Sequence, residues 1–272
     1  MDMNASKPWR AFVCSHTHWD REWYGSFQEY RYRLVRLMDR LLRLLEEKPT
    51  FRCFNLDGQT VVLEDYLEIR PEKEEVLRRH IGEGRISVGP WYVLPDEFLE
   101  GPEAMIRNLL RGHRLAEAFG HCSRVGYLPD MFGHISQMPQ ILRGFGLDNA
   151  ILWRGLSGED WPNELWWEAP DGSRVLVEHI LEYCGYCNAA LFAGSLPPSL
   201  RGKWRFPDGR YVITPETEKA AEALVEIVRK TAEKATTDCL LLFNGIDHME
   251  PQPELPEALA AAARRAREEG LE

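Results

Sequence analysis

Short apolar runs alternate along this chain with longer stretches in which apolar residues recur every three or four positions. Ala11 to Cys14 is the first run, the kind shown by a strand buried on both faces. Leu34, Leu37, Met38, Leu41, Leu42, Leu44 and Leu45 then share one helical stripe within Gln28 to Lys48, closed by Pro49. Phe51 to Leu56 alternates towards a strand and stops at Asp57-Gly58. Thr60 to Ile69 and Glu72 to Ile81 read as helices, and Arg85 to Val88 as a strand. Pro102 to Phe119 is a helix opened by proline, followed by a strand at Arg124 to Leu128. Ser136 to Phe145 is helical and Asn149 to Trp153 is a strand. Leu165 to Glu168 and Val175 to Leu181 predict a strand pair around the turn Pro170-Asp-Gly-Ser173. Tyr183 to Tyr211 is loop-like. Thr217 to Lys234 is an amphipathic helix, Asp238 to Phe243 a buried strand, and Pro256 to Glu268 a last helix.

Strand and helix alternate almost throughout, which predicts an α/β fold: mostly parallel strands with helices outside. No repeat, low-complexity tract or linker divides the chain, so residues 1–272 are expected to form one domain. In such folds the chemistry lies beyond the C-terminal ends of the strands. Polar residues stand at those ends here: His16, His18 and Asp20; Asp57; Asp96 and Glu97; Asp130; Arg154; Asp247 and His248. Single polar strand ends are ordinary. So many acids and imidazoles on one rim of an apolar sheet point to an active site.

Composition narrows the partners. The net charge of −10 over 272 residues makes nucleic acid or an anionic membrane a poor partner. Met1 to Arg10 lacks the apolar centre of a signal peptide, and no run approaches a membrane span. Six cysteines in a chain this long form no disulfide framework. Cys184-x-x-Cys187 is a single pair, read as two ordinary thiols. The expectation is a cytoplasmic protein.

His16, His18 and Asp20 project to one side of the first strand if it continues extended. An imidazole and a carboxylate two residues apart can hold a divalent ion, and zinc accepts both. Asp130, from another strand, would supply a third ligand and leave a position open, as a catalytic zinc requires. His134 could orient a ligand instead. Asp247 is an acid at the same rim, with His248 either a further ligand or its neighbour. Two carboxylates flanking one bond are the apparatus of glycoside hydrolysis.

Four segments carry a family resemblance: His-Thr-His-Trp-Asp-Arg-Glu-Trp (16–23), Gly-Tyr-Leu-Pro-Asp-Met-Phe-Gly-His (126–134), Ile-Leu-Trp-Arg-Gly (151–155) and Asn-Gly-Ile-Asp-His-Met-Glu-Pro-Gln-Pro (244–253). In this order they resemble the motifs of glycoside hydrolase family 38, the α-mannosidases, with the bacterial members nearest. The resemblance implies a retaining α-mannosidase on a (β/α)7-type barrel, with one zinc contacting the sugar hydroxyls. It implies that His18, Asp20 and Asp130 bind the zinc, that Asp130 is also the nucleophile, and that Asp247 is the acid/base. Trp23 would stack on the sugar, Phe132 would pack at it, and Arg154 would line it beside the nucleophile. The substrate would be a mannose-containing oligosaccharide or glycoside, and a homo-oligomer stays open. The family's fourth zinc ligand is a downstream His, so either His248 substitutes or the ligand lies beyond this sequence. The chain is therefore expected to be the N-terminal catalytic domain of a longer multidomain protein. Two other readings compete. A metal-dependent polysaccharide deacetylase would use a similar barrel with an Asp and His metal site, and an inert carbohydrate-binding fragment would bind without turnover.

Overall fold

The computed structural model describes residues 9–156, 161–180, 185–189 and 216–270. The first strand, β1 (Arg10–Ser15), leads into α1 (Phe27–Glu47). The carboxylate of Glu29 opens that helix by accepting the Ser26 N–H at 2.7 Å, an N-terminal cap. The leucine stripe of α1 is buried, with Leu37, Met38 and Leu41 fully enclosed. Truncating Leu41 to Ala should cost about 2–5 kcal/mol.

Then follow β2 (Phe54–Asn55), α2 (Val61–Leu67), α3 (Glu74–Gly82), β3 (Ile86–Ser87), α4 (Pro102–Ala118), β4 (Gly126–Leu128), α5 (Met138–Gly144) and β5 (Asn149–Leu152). The hairpin is β6 (Glu164–Glu168) with β7 (Arg174–His179), and the described part closes with α6 (Thr217–Ala232), β8 (Cys239–Asn244) and α7 (Leu255–Glu268). Every strand and helix placed within these residues by hydrophobic pattern is present. The Tyr183 to Tyr211 loop and Cys184 fall largely outside the described residues; Gly185–Cys187 forms a single 3-10 turn.

The strands are mostly parallel. The last strand lies beside the first, in register from Arg10 opposite Cys239 to Ser15 opposite Asn244. β2 pairs with β3, and β4, β5, β7 and β6 form a four-stranded sheet in which only β6 runs antiparallel. Among the described residues these are three separate sheets, so the closed (β/α)7 ladder expected from sequence is not what the hydrogen bonds trace. An isolated bridge from His16 to Asn55 links the first sheet to the second, while those of His18 to Asp247 and Gln59 to Trp91 extend the β1–β8 and β2–β3 pairs. The Trp91 indole donates to the Tyr127 carbonyl at 2.8 Å, across the gap between β3 and β4.

Beside β2 and β3 a side chain takes one carbonyl that a longer ladder would use, that of Phe51, and ties it to the end of α1. Arg85 donates to the carbonyls of Leu45 at 2.6 Å and Phe51 at 2.8 Å. The strand expected from Phe51 to Leu56 is accordingly a two-residue ladder.

Helices α1, α2, α3, α6 and α7 share one apolar cluster, while α4 and α5 cover the four-stranded sheet. A third, small cluster of Tyr127, Ile180, Tyr186 and Phe243 lies between the sheets. It forms the floor under the rim where the polar strand ends meet. No helix among the described residues is long and apolar enough to cross a membrane.

Candidate active site

Pairing of the first strand with the last one sets the site. The ladder continues past β1 as a bridge between His18 and Asp247, bringing together two polar segments more than 200 positions apart in sequence. The neighbouring turn after β2 supplies Asp57, which is completely buried. Its carboxylate accepts the Trp19 N–H at 2.7 Å and the Gln59 side-chain amide at 3.1 Å. The same oxygen lies 2.9 Å from His18 Nδ1.

Fixing Nδ1 turns the other nitrogen of His18 outward. Nε2 stands 3.5 Å from Asp20 Oδ1 and 3.6 Å from Asp130 Oδ2. His248 Nε2 lies 3.6 Å from the second oxygen of Asp20. Asp57 and His248 both adopt positive φ, at 58° and 57°, and are the non-glycine residues that do so among the described residues. Such strain costs of order 1–3 kcal/mol and persists where surrounding structure holds it. Here it lies on either side of His18.

The charges respond to this crowding. Burial works against a charged His18, yet Asp57 and Asp20 hold its pKa well above the ordinary range. Burial raises Asp20, but the bond to His18 and the charges of His18 and His248 outweigh it and leave it lowered. Burial pushes His248 down to about 4, so its imidazole is neutral near pH 7. Burial, helped by the charge of Asp247, raises Asp130 despite His18 and Arg154.

This donor set suits zinc. Tetrahedral zinc at bonds of about 2.0–2.1 Å spaces its ligands about 3.4 Å apart. Gaps of 3.5 and 3.6 Å are slack for hydrogen bonds but within a few tenths of an ångström of that spacing. Among the described residues no three such side chains already ring a common point; the match is pairwise. The carboxylate behind His18 completes the arrangement usual for a metal-binding imidazole.

Asp130 belongs to two neighbourhoods. Oδ2 faces His18, while Oδ1 accepts from Arg154 Nε at 2.6 Å. The guanidinium carbon of Arg154 lies 4.0 Å from the centre of the Trp153 ring and 5.3 Å from that of Phe132. Phe132 is 63 % exposed and Trp23 is 66 % exposed. Neither is core; both offer an apolar face at the surface. Asp247 accepts from the Tyr186 hydroxyl at 2.8 Å, and the same hydroxyl lies 3.5 Å from Asp130 Oδ2. The structure thus gathers His18, Asp20, Asp130, Asp247 and Arg154, with Phe132 alongside. Trp23 stands three residues beyond Asp20, outside the core.

Three expectations change. His16 does not share the open side with His18. It is fully buried, and its Nε2 donates to the Tyr186 carbonyl at 2.6 Å. Glu97 is not a free rim acid: Oε1 lies 2.7 Å from His134 Nδ1 and Oε2 accepts the Ile135 N–H at 2.8 Å. His134 turns its Nε2 to the Arg154 carbonyl, 2.9 Å away, rather than to Asp130. Two participants had no role in the sequence reading. Asp57 stood among the polar strand ends, and its place in an Asp-Gly turn signature gave no sign that it holds an imidazole. Tyr186 sits in a stretch whose composition signals only loop; the aromatic after Gly185 was the sole cue.

The sequence model of the Glycosyl hydrolases family 38 N-terminal domain matches residues 8–269. A protein of Halalkalibacterium halodurans named "Putative mannosylglycerate hydrolase" is 40% identical over 265 residues, 93% of this chain and 27% of that protein. Human alpha-mannosidase 2C1 is 32% identical over 60% of this chain and 16% of its own length. Among solved structures, an alpha-mannosidase from Enterococcus faecalis V583 superposes with a TM-score of 0.82 at 34% identity, covering 96% of this chain and 27% of that one. The chain thus spans about a quarter or less of the length of these relatives. A match over nearly every residue, with the four motifs meeting on one rim, means that the chain belongs to glycoside hydrolase family 38 and carries its N-terminal domain.

Proposed function

We infer that this chain is the catalytic domain of a retaining, zinc-dependent α-mannosidase, built as a (β/α)7-type barrel and working in the cytoplasm. One observation carries the retaining assignment. A single hydroxyl, that of Tyr186, reaches Asp247 at 2.8 Å and Asp130 at 3.5 Å. Carboxylate oxygens that share one such neighbour stand closer than the roughly 6.5 Å at which inverting pairs begin. That spacing supports a retaining pair over the wider one that holds a water.

Asp130 attacks the anomeric carbon of mannose as Asp247 gives its proton to the departing oxygen. The carbon–oxygen bond to the aglycone breaks as the ester to Asp130 forms. Asp247, now a carboxylate, takes a proton from water, whose oxygen attacks the same carbon and releases Asp130. Arg154 holds Oδ1 of Asp130 and keeps that carboxylate oriented. Trp23 and Phe132 offer apolar faces to the sugar. His18, Asp20, Asp130 and His248 would hold zinc, which when bound supplies a Lewis-acid contact to the sugar hydroxyls. Free cysteines at positions 14, 53, 122, 187 and 239 support a reducing compartment.

The name of the Halalkalibacterium relative makes mannosylglycerate the first substrate to try, beside mannose-containing oligosaccharides. Family membership leaves no support for a deacetylase. The test is hydrolysis of mannosylglycerate, α-linked mannobioses and an aryl α-mannoside with zinc supplied, followed by proton NMR. Release of α-mannose as the first product is expected. β-Mannose first would make the enzyme inverting, and binding without turnover would favour the inert module.

A further inference from the structure

We propose that Glu97 and His134 are positioning residues that hold Arg154 on Asp130, through a chain of contacts crossing three successive strand-end loops. The proposal rests on the reading of Asp130 as nucleophile and adds the device that aims it.

Arg154 lies past the end of β5, whose ladder stops at Leu152, and its side chain is 38 % exposed. A long side chain at such a place has much rotamer freedom to lose. Its backbone turns at once into Gly155, which has φ 94°. The carbonyl of Arg154 accepts from His134 Nε2 at 2.9 Å. A Cβ on Gly155 would stand 2.7 Å from His134 Cδ2, so the ring is pressed against this turn. Glu97 then fixes the ring. One oxygen lies 2.7 Å from His134 Nδ1, and the other accepts the N–H of Ile135. The Glu97 side chain is fully buried, and the His134 ring nearly so.

Both groups facing the His134 ring are acceptors, a carboxylate and a carbonyl. Neutral amides could link these loops at less cost. A buried carboxylate bonded to a donor ring demands good geometry, because either partner left alone is a costly buried polar group. That sharpness passes to Arg154 and from it to Oδ1 of Asp130, 2.6 Å from Nε. With Oδ1 engaged, Oδ2 is the oxygen that faces His18 and Tyr186. The brace divides the labour between the two oxygens.

Glu97→Gln tests it, since Gln keeps the shape but has one acceptor where two are used. In the protein as its source encodes it, kcat should fall about 10²-fold per active site titrated with a mechanism-based fluoro-mannoside, with KM little changed. A purely structural Glu97 would lower the melting temperature and the titratable fraction but leave kcat per site intact, and that result overturns the proposal. In an Arg154→Lys background the Glu97→Gln loss should shrink below about 5-fold, because the brace would have little left to position. A full 10²-fold loss in that background also overturns it. If Glu97→Gln does not fold, His134→Gln, which can still donate to the Arg154 carbonyl, takes its place and should lose less than His134→Leu; equal losses count against the brace. If the unaltered protein turns over no mannoside, the function reading fails by itself. The brace is then decided by crystal structures: Arg154 Nε displaced from Asp130 in Glu97→Gln supports it, and an unmoved contact overturns it.

Discussion

Two buried carboxylate–imidazole pairs stand under this rim, one on each side of Asp130, and their far nitrogens meet different things. Asp57 holds His18 by Nδ1 at 2.9 Å, and Glu97 holds His134 by Nδ1 at 2.7 Å. Each carboxylate is completely enclosed and also accepts a backbone N–H, from Trp19 and Ile135 respectively. The Nε2 of His134 closes on the Arg154 carbonyl at 2.9 Å. The Nε2 of His18 faces Asp20 and Asp130 across 3.5 and 3.6 Å.

The same pair of groups thus yields a finished joint in one place and an open socket in the other. Hydrogen-bond distance marks the joint, and slack on the scale of a metal's ligand spacing marks the socket. Residue type alone would not separate them: both histidines belong to motifs that resemble the family, and both lie near Asp130. What separates them is the partner of the second nitrogen. A carbonyl oxygen offers that nitrogen a bond and nothing more, whereas two carboxylates offer further ligands.

Asp130 is where the two systems meet, so its loss should have the largest effect. Asp130→Asn should abolish hydrolysis of every mannoside, activated or not. Asp247→Asn should split the substrates: poor leaving groups slow about 10²–10⁴-fold, while activated aryl mannosides keep most of their first-step rate. Steady-state kinetics on both classes checks this. Poor-leaving-group substrates untouched by Asp247→Asn would place the acid elsewhere, with Asp96 the next candidate because Glu97 is already engaged.

The two pairs should also fail differently. Asp57→Asn is expected to weaken zinc about 10–100-fold, since it loosens the imidazole behind the socket. Glu97→Gln should leave zinc affinity within about 2-fold and act on turnover instead, through Arg154. Zinc titration against a competing chelator, beside kcat on one aryl mannoside, separates the two. Equal loss of zinc in both variants would erase the distinction between socket and joint.

Much of this was legible in the sequence, for physical reasons that also mark where legibility ends. Helices such as α1 announced themselves because one face must be buried over many turns, which writes a long periodic pattern. Strand ends were legible because an apolar run stops where the chain reaches the rim, as at His16, Asp130 and Asp247. Ladder length was not. Whether Phe51 bonds to a strand or to the guanidinium of Arg85 is decided by residues more than 30 positions away. Closure of the sheet depends on the same long-range pairing. Within the site, His18, Asp20, Asp130, Asp247 and Arg154 are brought together as their motifs suggested. Asp57 and Glu97 looked like ordinary polar strand ends, because a carboxylate that holds an imidazole has the same local sequence as one that faces water.

A half-buried acid shows what the imidazoles contribute. Glu178 on β7 stands opposite Glu164 on β6, so its cross-strand neighbour is another carboxylate. Glu164 already accepts from Thr236 and Thr237, and its pKa is lowered, burial notwithstanding. Burial, together with the charge of Glu164, pushes Glu178 up to about 8. An unfolded chain releases that proton near pH 4.3. Between about pH 4.3 and about 8 the folded state therefore holds a proton that the unfolded state has lost. Stability falls as pH rises through this window, by at most about 1.4 kcal/mol per pH unit, and levels off above it. Glu178→Gln should remove this slope, leaving the variant more stable than the parent at pH 9 and nearly equal at pH 4, with kcat within about 2-fold at pH 6. Urea unfolding at several pH values measures the difference. A parent whose stability does not fall between pH 6 and 8 relative to Glu178→Gln would mean that Glu178 is ionised and solvated. The contrast between acids with and without an imidazole partner would then lose its control.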